Sequence, residues 1–455
     1  MKYTYRILLI VGLIITWSSC KDKWLDAKPD AALVVPNSVK DYQSLLDNTA
    51  QVFNTNNSSG LSEVSSGDFY LTDAAFAAAY GTQEKSAYIW APTNTFYNNE
   101  TSVDWNNAYK RILTTNVIMD GMEKIKPQGE DVSDWNNVKG SALFYRAFEF
   151  YCLSQQFCRH YIAATASTEP GVPLRLEYNV NLTIPRSTLQ QTYDQLIDDL
   201  KKSSALLTSA PLVKTRPSKQ AAFALLSRVY LIMERYDEAK LYADSALHIQ
   251  SQLINYSSLN AAAAYPLVKF NAETIFFSTF NYGIFYGTGS MVDQELYASY
   301  GDNDYRKTVF YTSAGNRVSY KGSYSGSRLL FAGLATDELY LIRAEANVRK
   351  GALQAALKDL NNLLINRWRG TYSPLSTNNA DQILSTILTE RRKELVFRTI
   401  RWSDLRRLNR DTRFAVTLKR TVNGQNYQLL PNDSRYVFPI DNKEISLNGT
   451  TQIDR

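Results

Sequence analysis

The chain has 455 residues, 44% of them apolar and 21% charged, enough to bury a sizeable core. Its 50 basic and 44 acidic side chains are spread without a long block of one sign, so the charge pattern offers no nucleic-acid footprint. Two histidines, His160 and His248, leave almost no material for a histidine zinc site or a catalytic triad, and no cofactor, metal ligand or catalytic residue is assigned. By contrast, 30 Tyr, 19 Phe and 7 Trp are a surplus that suits a carbohydrate- or peptide-binding surface, since Tyr offers a flat apolar face plus a hydroxyl, although most of these rings read as core.

In chain order, Lys2 and Arg6 precede the apolar run Ile7–Trp17 (ILLIVGLIITW), and Ser18 and Ser19 lie directly before Cys20. A basic start, a short apolar run and small residues at a cut read as a secretory signal. The run is shorter than the ~20 residues a spanning helix needs. The cysteine at the cut predicts a lipoprotein signal over 1–19 with Cys20 acylated, although Trp17 stands where such signals more often carry Leu. Residues 20–36, including the polar lead Lys21–Pro36, read as a lipid-anchored tether.

Residues 37–210 read as loops plus long helices. Val39–Leu46 predicts a short helix, the Asn- and Ser-rich Asn54–Gly67 a loop, and Tyr70–Tyr97 a mixed aromatic stretch. Helical apolar spacing recurs over Val103–Lys124, Trp135–Phe157 and Thr188–Leu207, the last capped by Ser187 or Thr188. Pro170–Pro185 reads as extended loop. Cys152 and Cys158 are six apart in a helix and face different ways, which predicts buried thiols and no mutual disulfide.

Residues 211–254 hold the clearest pattern. Ser218–Met233 and Tyr236–Gln250 form a helix pair with a turn near Glu234, and their large and small residues match a tetratricopeptide (TPR) unit. Phe223, Leu226, Ser227 and Tyr230 fall on the first helix; Ala239, Ala243 and Ala246 fall on the second. A second copy, Asp337–Asn366, lies within 331–455, with Tyr340, Ala344, Ala356, Leu360 and Leu363 in place and Gly351 in the turn. Between the copies, 255–330 is rich in Tyr, Gly, Ser and Asn and reads as an inserted loop-rich lobe, the kind of insertion that carries function. Ile383–Leu408 predicts helix, and Arg413–Arg455 coil with short strands. The expected fold is mainly α: a TPR-like helical-repeat body with an irregular lobe and few short strands.

These segments together resemble the SusD/RagB family of outer-membrane lipoproteins of Bacteroidetes. The resemblance rests on CKDKWLD after the signal, WNNAYKRILTTN, PGVPLR with TIPRSTLQQTYDQLIDDL, and RPSKQAAFALLSRVYLIMERYDEAKLYADSAL. LYLIRAEANVRKG with LKDLNNLLINRW, TERRKELVFRTIRWSDLRRL and VFPIDNKEISLN complete it. The chain departs at 398–399, Arg-Thr where the family more often has Glu-Gly, and in its TTQIDR end. The resemblance implies a non-enzymatic binding protein at the cell surface, tethered to the outer membrane by lipid on Cys20. It implies an oligosaccharide ligand, or a peptide in some members, delivered to a SusC-like TonB-dependent transporter that the protein caps as a lid.

A sugar ring stacks its apolar face on Tyr or Trp while polar neighbours bond its hydroxyls. That chemistry singles out Asp68, Tyr70, Tyr88, Trp90, Asn94 and Tyr97 in the N-terminal irregular stretch, with Trp90 and Asn94 foremost. In the inserted lobe it singles out Tyr282, Phe285, Tyr286, Tyr297 and Tyr300. The charge cluster Glu390, Arg391, Arg392, Lys393, Glu394 and Arg398, with Glu394–Arg398 and Glu390–Lys393 at helical spacing, reads as a structural ion-pair network with Arg401, Trp402 and Asp404, the alternative being an anion site. A glycan-degrading enzyme needs two carboxylates flanking one bond. No feature isolates such a pair, and the adjacent Asp198 and Asp199 read as solvated surface.

Overall fold

The computed structural model describes residues 35–129 and 131–455; the signal, Cys20 and most of the tether lie outside the described residues. Eight long helices stack in chain order. Helix α1 (Val103–Glu123) packs on α2 (Asp131–Phe157), α2 on α3 (Leu189–Leu206), and α3 on α4 (Lys219–Ile232). Helix α4 packs on α5 (Tyr236–Ile249), α5 on α6 (Thr336–Arg349), and α6 on both α7 (Leu353–Ile365) and α8 (Ala380–Glu394). Among the described residues no helix is long and apolar enough to cross a membrane.

Start signals are side-chain caps. Ser102, Ser218 and Asn379 each accept a hydrogen bond from the backbone N–H three residues on. Thr188, and not Ser187, caps α3, and Gln191 returns the bond to complete a capping box. Helix α2 is buried on all sides from Gly140 onward, as befits the middle of a stack. Its Arg146 reaches α3 and bonds Asp199 through both carboxylate oxygens at 2.7 Å. Asp199 is therefore a buried partner, which corrects its reading as solvated surface. Cys152 and Cys158 are buried free thiols, and burial pushes both up from the ordinary thiol range.

Small residues bring the repeat helices together. Ala239, Ala243 and Ala246 on α5 are fully buried, as are Leu226 and Ser227 on α4, and Tyr230 stacks on Tyr242 at 5.5 Å. Both repeats end their first helix in the same way. After α6, Gly351 (φ +79°) sends its N–H to Val348 O, and Ala352 sends its N–H to Asn347 O at 2.8 Å. After α4, Glu234 (φ 58°) and Arg235 make the equivalent bonds to Leu231 O and Tyr230 O. This is the Schellman closure. In the first repeat a glutamate occupies the left-handed position that glycine fills in the second, and its carboxylate bonds Arg410 at 2.6 Å.

The two repeats touch although residues 250–335 lie between them. That insertion returns on itself: Thr274–Phe276 pairs with Leu334–Ala335, and Thr279–Phe280 with Leu330–Phe331, all antiparallel. Its interior also joins the N-terminal irregular stretch. Phe69–Leu71 pairs with Ser290–Val292, Asn57 N–H donates to Thr279 O, and Thr279 N–H donates to Asn54 O, both at 2.9 Å. The two aromatic-rich stretches that are far apart in sequence form one lobe.

Two local expectations change. Within the predicted loop Asn54–Gly67, Gly60–Ser65 is helical and almost wholly buried. Leu61 N–H bonds Asp104, and Gly60 sits where a Cβ would lie 2.1 Å from the Tyr282 ring. Tertiary contact, not composition, makes this turn. The predicted helix Ile383–Leu408 is two helices, α8 and Arg401–Leu408. They are broken by Phe397 (φ 57°) and Thr399 (φ 61°), whose N–H bonds Glu63 at 2.7 Å. The expected Glu394–Arg398 helical pair therefore does not form, and Arg398 bonds Asp337 at 2.8 Å. Near the C-terminus a hairpin, Leu418–Val422 with Gln425–Leu429, turns through Asn423–Gly424, both left-handed as a two-residue loop requires.

Candidate ligand-binding site

The lobe encloses a cavity of about 320 Å³, at the lower end of the roughly 300–1,000 Å³ common for small-molecule sites. Its floor is aromatic. Phe69 and Phe285 lie 4.8 Å apart, Phe285 and Phe397 6.0 Å, and Tyr320 and Phe397 4.7 Å. Each ring arrives by a separate route: Phe69 on the strand paired to Ser290–Val292, Phe285 in a short helical turn, Tyr320 on the hairpin Tyr311–Ala314/Arg317–Tyr320, and Phe397 in the break after α8. The left-handed backbone at Phe397 and Thr399 is what turns the Phe397 ring into the floor. Beneath it Glu63 accepts from Thr399 N–H and from Ser66 Oγ; burial, then the nearby Asp68, raise its carboxyl to about 8, so it is neutral at pH 7.

The walls are polar. Tyr286 stands on one side with the Arg328 guanidinium 5.4 Å from its ring centroid; the Tyr286 hydroxyl is buried beside Leu330 and completes no hydrogen bond of normal geometry. Arg317, Lys321, Ser290, Ser319, Ser323 and Ser327 also line the space, and the exposed Tyr265 stands at its mouth. At Gly287 the cavity adjoins a shallow groove of about 430 Å³ lined by Ala74, Ala75, Ala78, Gly283 and Thr288.

The sequence candidates divide sharply. Tyr286, with Phe285, lines the cavity. Trp90 is only 2% exposed; its Nε1 donates to Ser65 O at 3.2 Å and the Arg420 guanidinium covers its ring. Tyr88 is sandwiched by Arg420 at 3.8 Å and accepts from Leu71 N–H. Tyr97 donates to Pro439 O, Tyr282 to Asp104 at 2.7 Å, and Tyr300 to Lys393 O. These five rings are buried in lobe packing, and Tyr97 also borders the groove beside Asn94. Asp68 is fully buried and bonded by Arg392 at 3.1 Å. Tyr70 is half-buried and bonds Gln294; Tyr297 meets Tyr311 edge-on. Asn94 is exposed and, with Tyr97, Asn98 and Lys443, borders a separate polar groove. Sequence reasoning missed Tyr265, Arg317, Tyr320, Lys321, Arg328 and Phe397. Tyr320, Lys321 and Arg328 lie in the Tyr-, Gly- and Ser-rich stretch 318–328, whose composition is their one local signal.

The C-terminal charge cluster is a buried network that fastens the lobe to the array. Arg306 from the insertion bonds Asp304, Glu390 and Glu394; Arg367 bonds Glu394 and Glu273; Lys393 bonds Asp304 and Glu390. Arg391 bonds Asp404, which also takes Arg407. Burial alone would raise Asp304, but Arg306 and Lys393 bring it down to about 2. Glu273, Asp337 and Glu394 place carboxylate oxygens within 4.8 Å of one another, a spacing a metal ion could use. Each already bonds Arg367 or Arg398, so guanidinium charge fills that role. His160 is buried in a separate mixed-charge pocket with Arg159 and Arg406, and desolvation lowers it to about 4, so it is neutral at pH 7.

Two family models match the sequence: one described as starch-binding associating with outer membrane, over residues 23–231, and one described as SusD family, over 336–453. No curated protein matches the chain. Among solved structures, a SusD superfamily protein from Bacteroides thetaiotaomicron is similar at 21% identity and TM-score 0.75, covering 92% of this chain and 100% of its own. A SusD superfamily protein from Bacteroides fragilis is similar at 20% identity and TM-score 0.71, covering 91% and 99%. A SusD-like carbohydrate binding protein from Bacteroides vulgatus is similar at 18% identity and TM-score 0.66, covering 91% and 97%.

Proposed function

The chain belongs to the SusD/RagB family, and from that premise we propose that it captures an oligosaccharide in the lobe cavity and passes it to a SusC-like TonB-dependent transporter in the outer membrane, to which lipid on Cys20 ties it. The observation that carries the reading is the cavity itself: an aromatic floor ringed by serine hydroxyls, a tyrosine and three cationic side chains, where two distant stretches of sequence meet. Aromatic faces suit the apolar side of a sugar ring, and the hydroxyls and guanidinium groups suit its edges. Among the described residues lining the cavity there is no carboxylate and no histidine. The lining therefore offers no pair of carboxylates of the kind that flank a glycosidic bond in hydrolysis.

Titration calorimetry of the mature protein against an oligosaccharide panel tests this reading. Tyr286→Ala is expected to weaken binding at least tenfold, since a buried aromatic anchor carries ~2 kcal/mol or more. Trp90→Ala is expected to lower thermal stability while leaving the affinity of the folded fraction intact. Unchanged affinity in Tyr286→Ala would remove the cavity from consideration. Co-purification with a SusC-like transporter, lost when Cys20 is replaced, tests the partner and the anchor together.

A further inference from the structure

We propose, resting on the cavity being the ligand site, that the oligosaccharide it takes is anionic, with carboxylate or sulfate groups met by Arg317, Arg328 and Lys321. Among the buried arginines, Arg306, Arg367, Arg391, Arg398 and Arg407 have carboxylate partners within 3.0 Å, whereas Arg406 and Arg420 bond backbone carbonyls and no carboxylate among the described residues. The three cations lining the cavity form no ion pair among the described residues, and no carboxylate lines the cavity with them. Glu84, across the turn at 283–285, is committed to the Ile284 N–H at 2.8 Å.

Arg317 and Lys321 are half-buried and Arg328 is exposed, and none of the three has a carboxylate partner among the described residues. Arg317 opens the second strand of the hairpin that also supplies Tyr320, and its Nε is buried without a hydrogen bond. A buried donor without an acceptor is destabilising, more so when charged, and a ligand oxyanion would remove that cost. Arg328 lies over the Tyr286 ring, a stacking that leaves the guanidinium edge open for two-point contact with a carboxylate or sulfate. Lys321 is fixed by the Ala261 and Ala263 carbonyls, which accept from its Nζ at 2.5 and 3.3 Å, and these carry no net charge to balance it. A neutral sugar would leave three charges facing one partly enclosed space. The aromatic floor and the four serines set the ligand apart from a bare inorganic anion, because they offer surface for a ring and its hydroxyls.

The test uses the mature protein and matched probes: oligogalacturonides against their methyl esters, and heparin-derived oligosaccharides against desulfated counterparts. We expect a charged member of at least one pair to bind at least tenfold tighter than its neutral partner, and its affinity to fall as NaCl rises from about 50 to about 500 mM. Arg317→Gln and Arg328→Gln are each expected to weaken that binding about tenfold, near the ~1.4 kcal/mol of one charge-assisted bond, with unchanged melting temperature. Arg317→Lys is expected to recover part of the loss. Neutral members binding as tightly as charged ones, with Tyr286→Ala abolishing both, would overturn the anionic assignment and leave the cavity standing as the site. Charged glycans that bind equally to Tyr286→Ala and Arg317→Gln would overturn the cavity assignment itself. No binding to any charged probe, or binding of polyglutamate in place of every glycan, would also overturn the proposal.

Discussion

The helix array and the lobe are held together by different physics. In the array, cohesion is periodic: small buried residues such as Ala243 on α5 recur beside large ones such as Leu226 on α4, and the two repeats close with the same turn. In the lobe, cohesion is particular. Strands of two to four residues pair across long separations, and a set of buried ions joins Glu273, Asp304 and Arg306 of the insertion to Arg367 and α8. A periodic interface tolerates drift at one position because its neighbours repeat the same contact. A network of single charges does not, because removing one partner strands the rest in a medium that cannot solvate them.

The sharpest test of that contrast is Arg367→Met. It leaves Glu273 and Glu394 buried beside each other without their shared guanidinium, and it is expected to cost about 3–5 kcal/mol in urea unfolding. A cost under 1 kcal/mol would mean the ions are not what fastens the lobe. Next comes pH. Glu63 is raised to about 8 by burial, so its folded form binds a proton more tightly than the unfolded chain does. Its stabilising contribution is complete below about 4.5 and is lost as pH rises toward about 8. With one pKa unit worth about 1.4 kcal/mol, Glu63→Gln is expected to gain on the wild type by more than that across this window, read from melting curves at pH 5 and pH 8. Equal slopes for the two proteins would show that Glu63 is charged throughout.

In the array the expected effects are smaller. Ala243→Leu overfills the α4–α5 contact and is expected to cost about 1–3 kcal/mol. The repeat turns give the finest comparison. Gly351→Ala meets no atom within 4 Å, so its cost of about 1–2 kcal/mol is backbone strain alone. Glu234→Gly relieves the same strain and gives up a part-exposed pair to Arg410 worth less than ~1 kcal/mol. Thermal melts of the two variants are expected to move in opposite directions. If Glu234→Gly destabilises as strongly as Gly351→Ala, the Arg410 contact carries more than its exposure suggests.

The same contrast explains what could be read from the sequence. The array helices follow from apolar spacing, small residues and caps, all of which are local. The lobe does not, because the pairing of Phe69–Leu71 with Ser290–Val292 leaves no local trace. The density of Trp90, Tyr88 and Tyr97 drew attention as stacking surface, but each has its polar tip or ring face taken by another part of the chain. Arg420, which covers two of them, lies some 330 residues away in sequence. One signal for the break after α8 is local. Thr399 stands where the family more often has glycine, and φ there is +61°. A family glycine marks a left-handed position, and that position breaks the predicted helix and turns Phe397 into the cavity.

The meeting of α5 and α6 has a consequence for the order of events in folding. Thr336 Oγ1 donates to Gln250 Oε1 at 3.0 Å, so the two ends of residues 250–335 are anchored side by side. Loop-closure entropy rises by only about 0.6 kcal/mol per doubling of length, so the array can form across the gap whatever the insertion is doing. The buried ions cannot assemble until it has: Arg367 and Glu394 follow the gap, and Glu273, Asp304 and Arg306 lie within it. The array, built from sequence neighbours, is therefore expected to form before the lobe, whose contacts of high sequence separation close slowly.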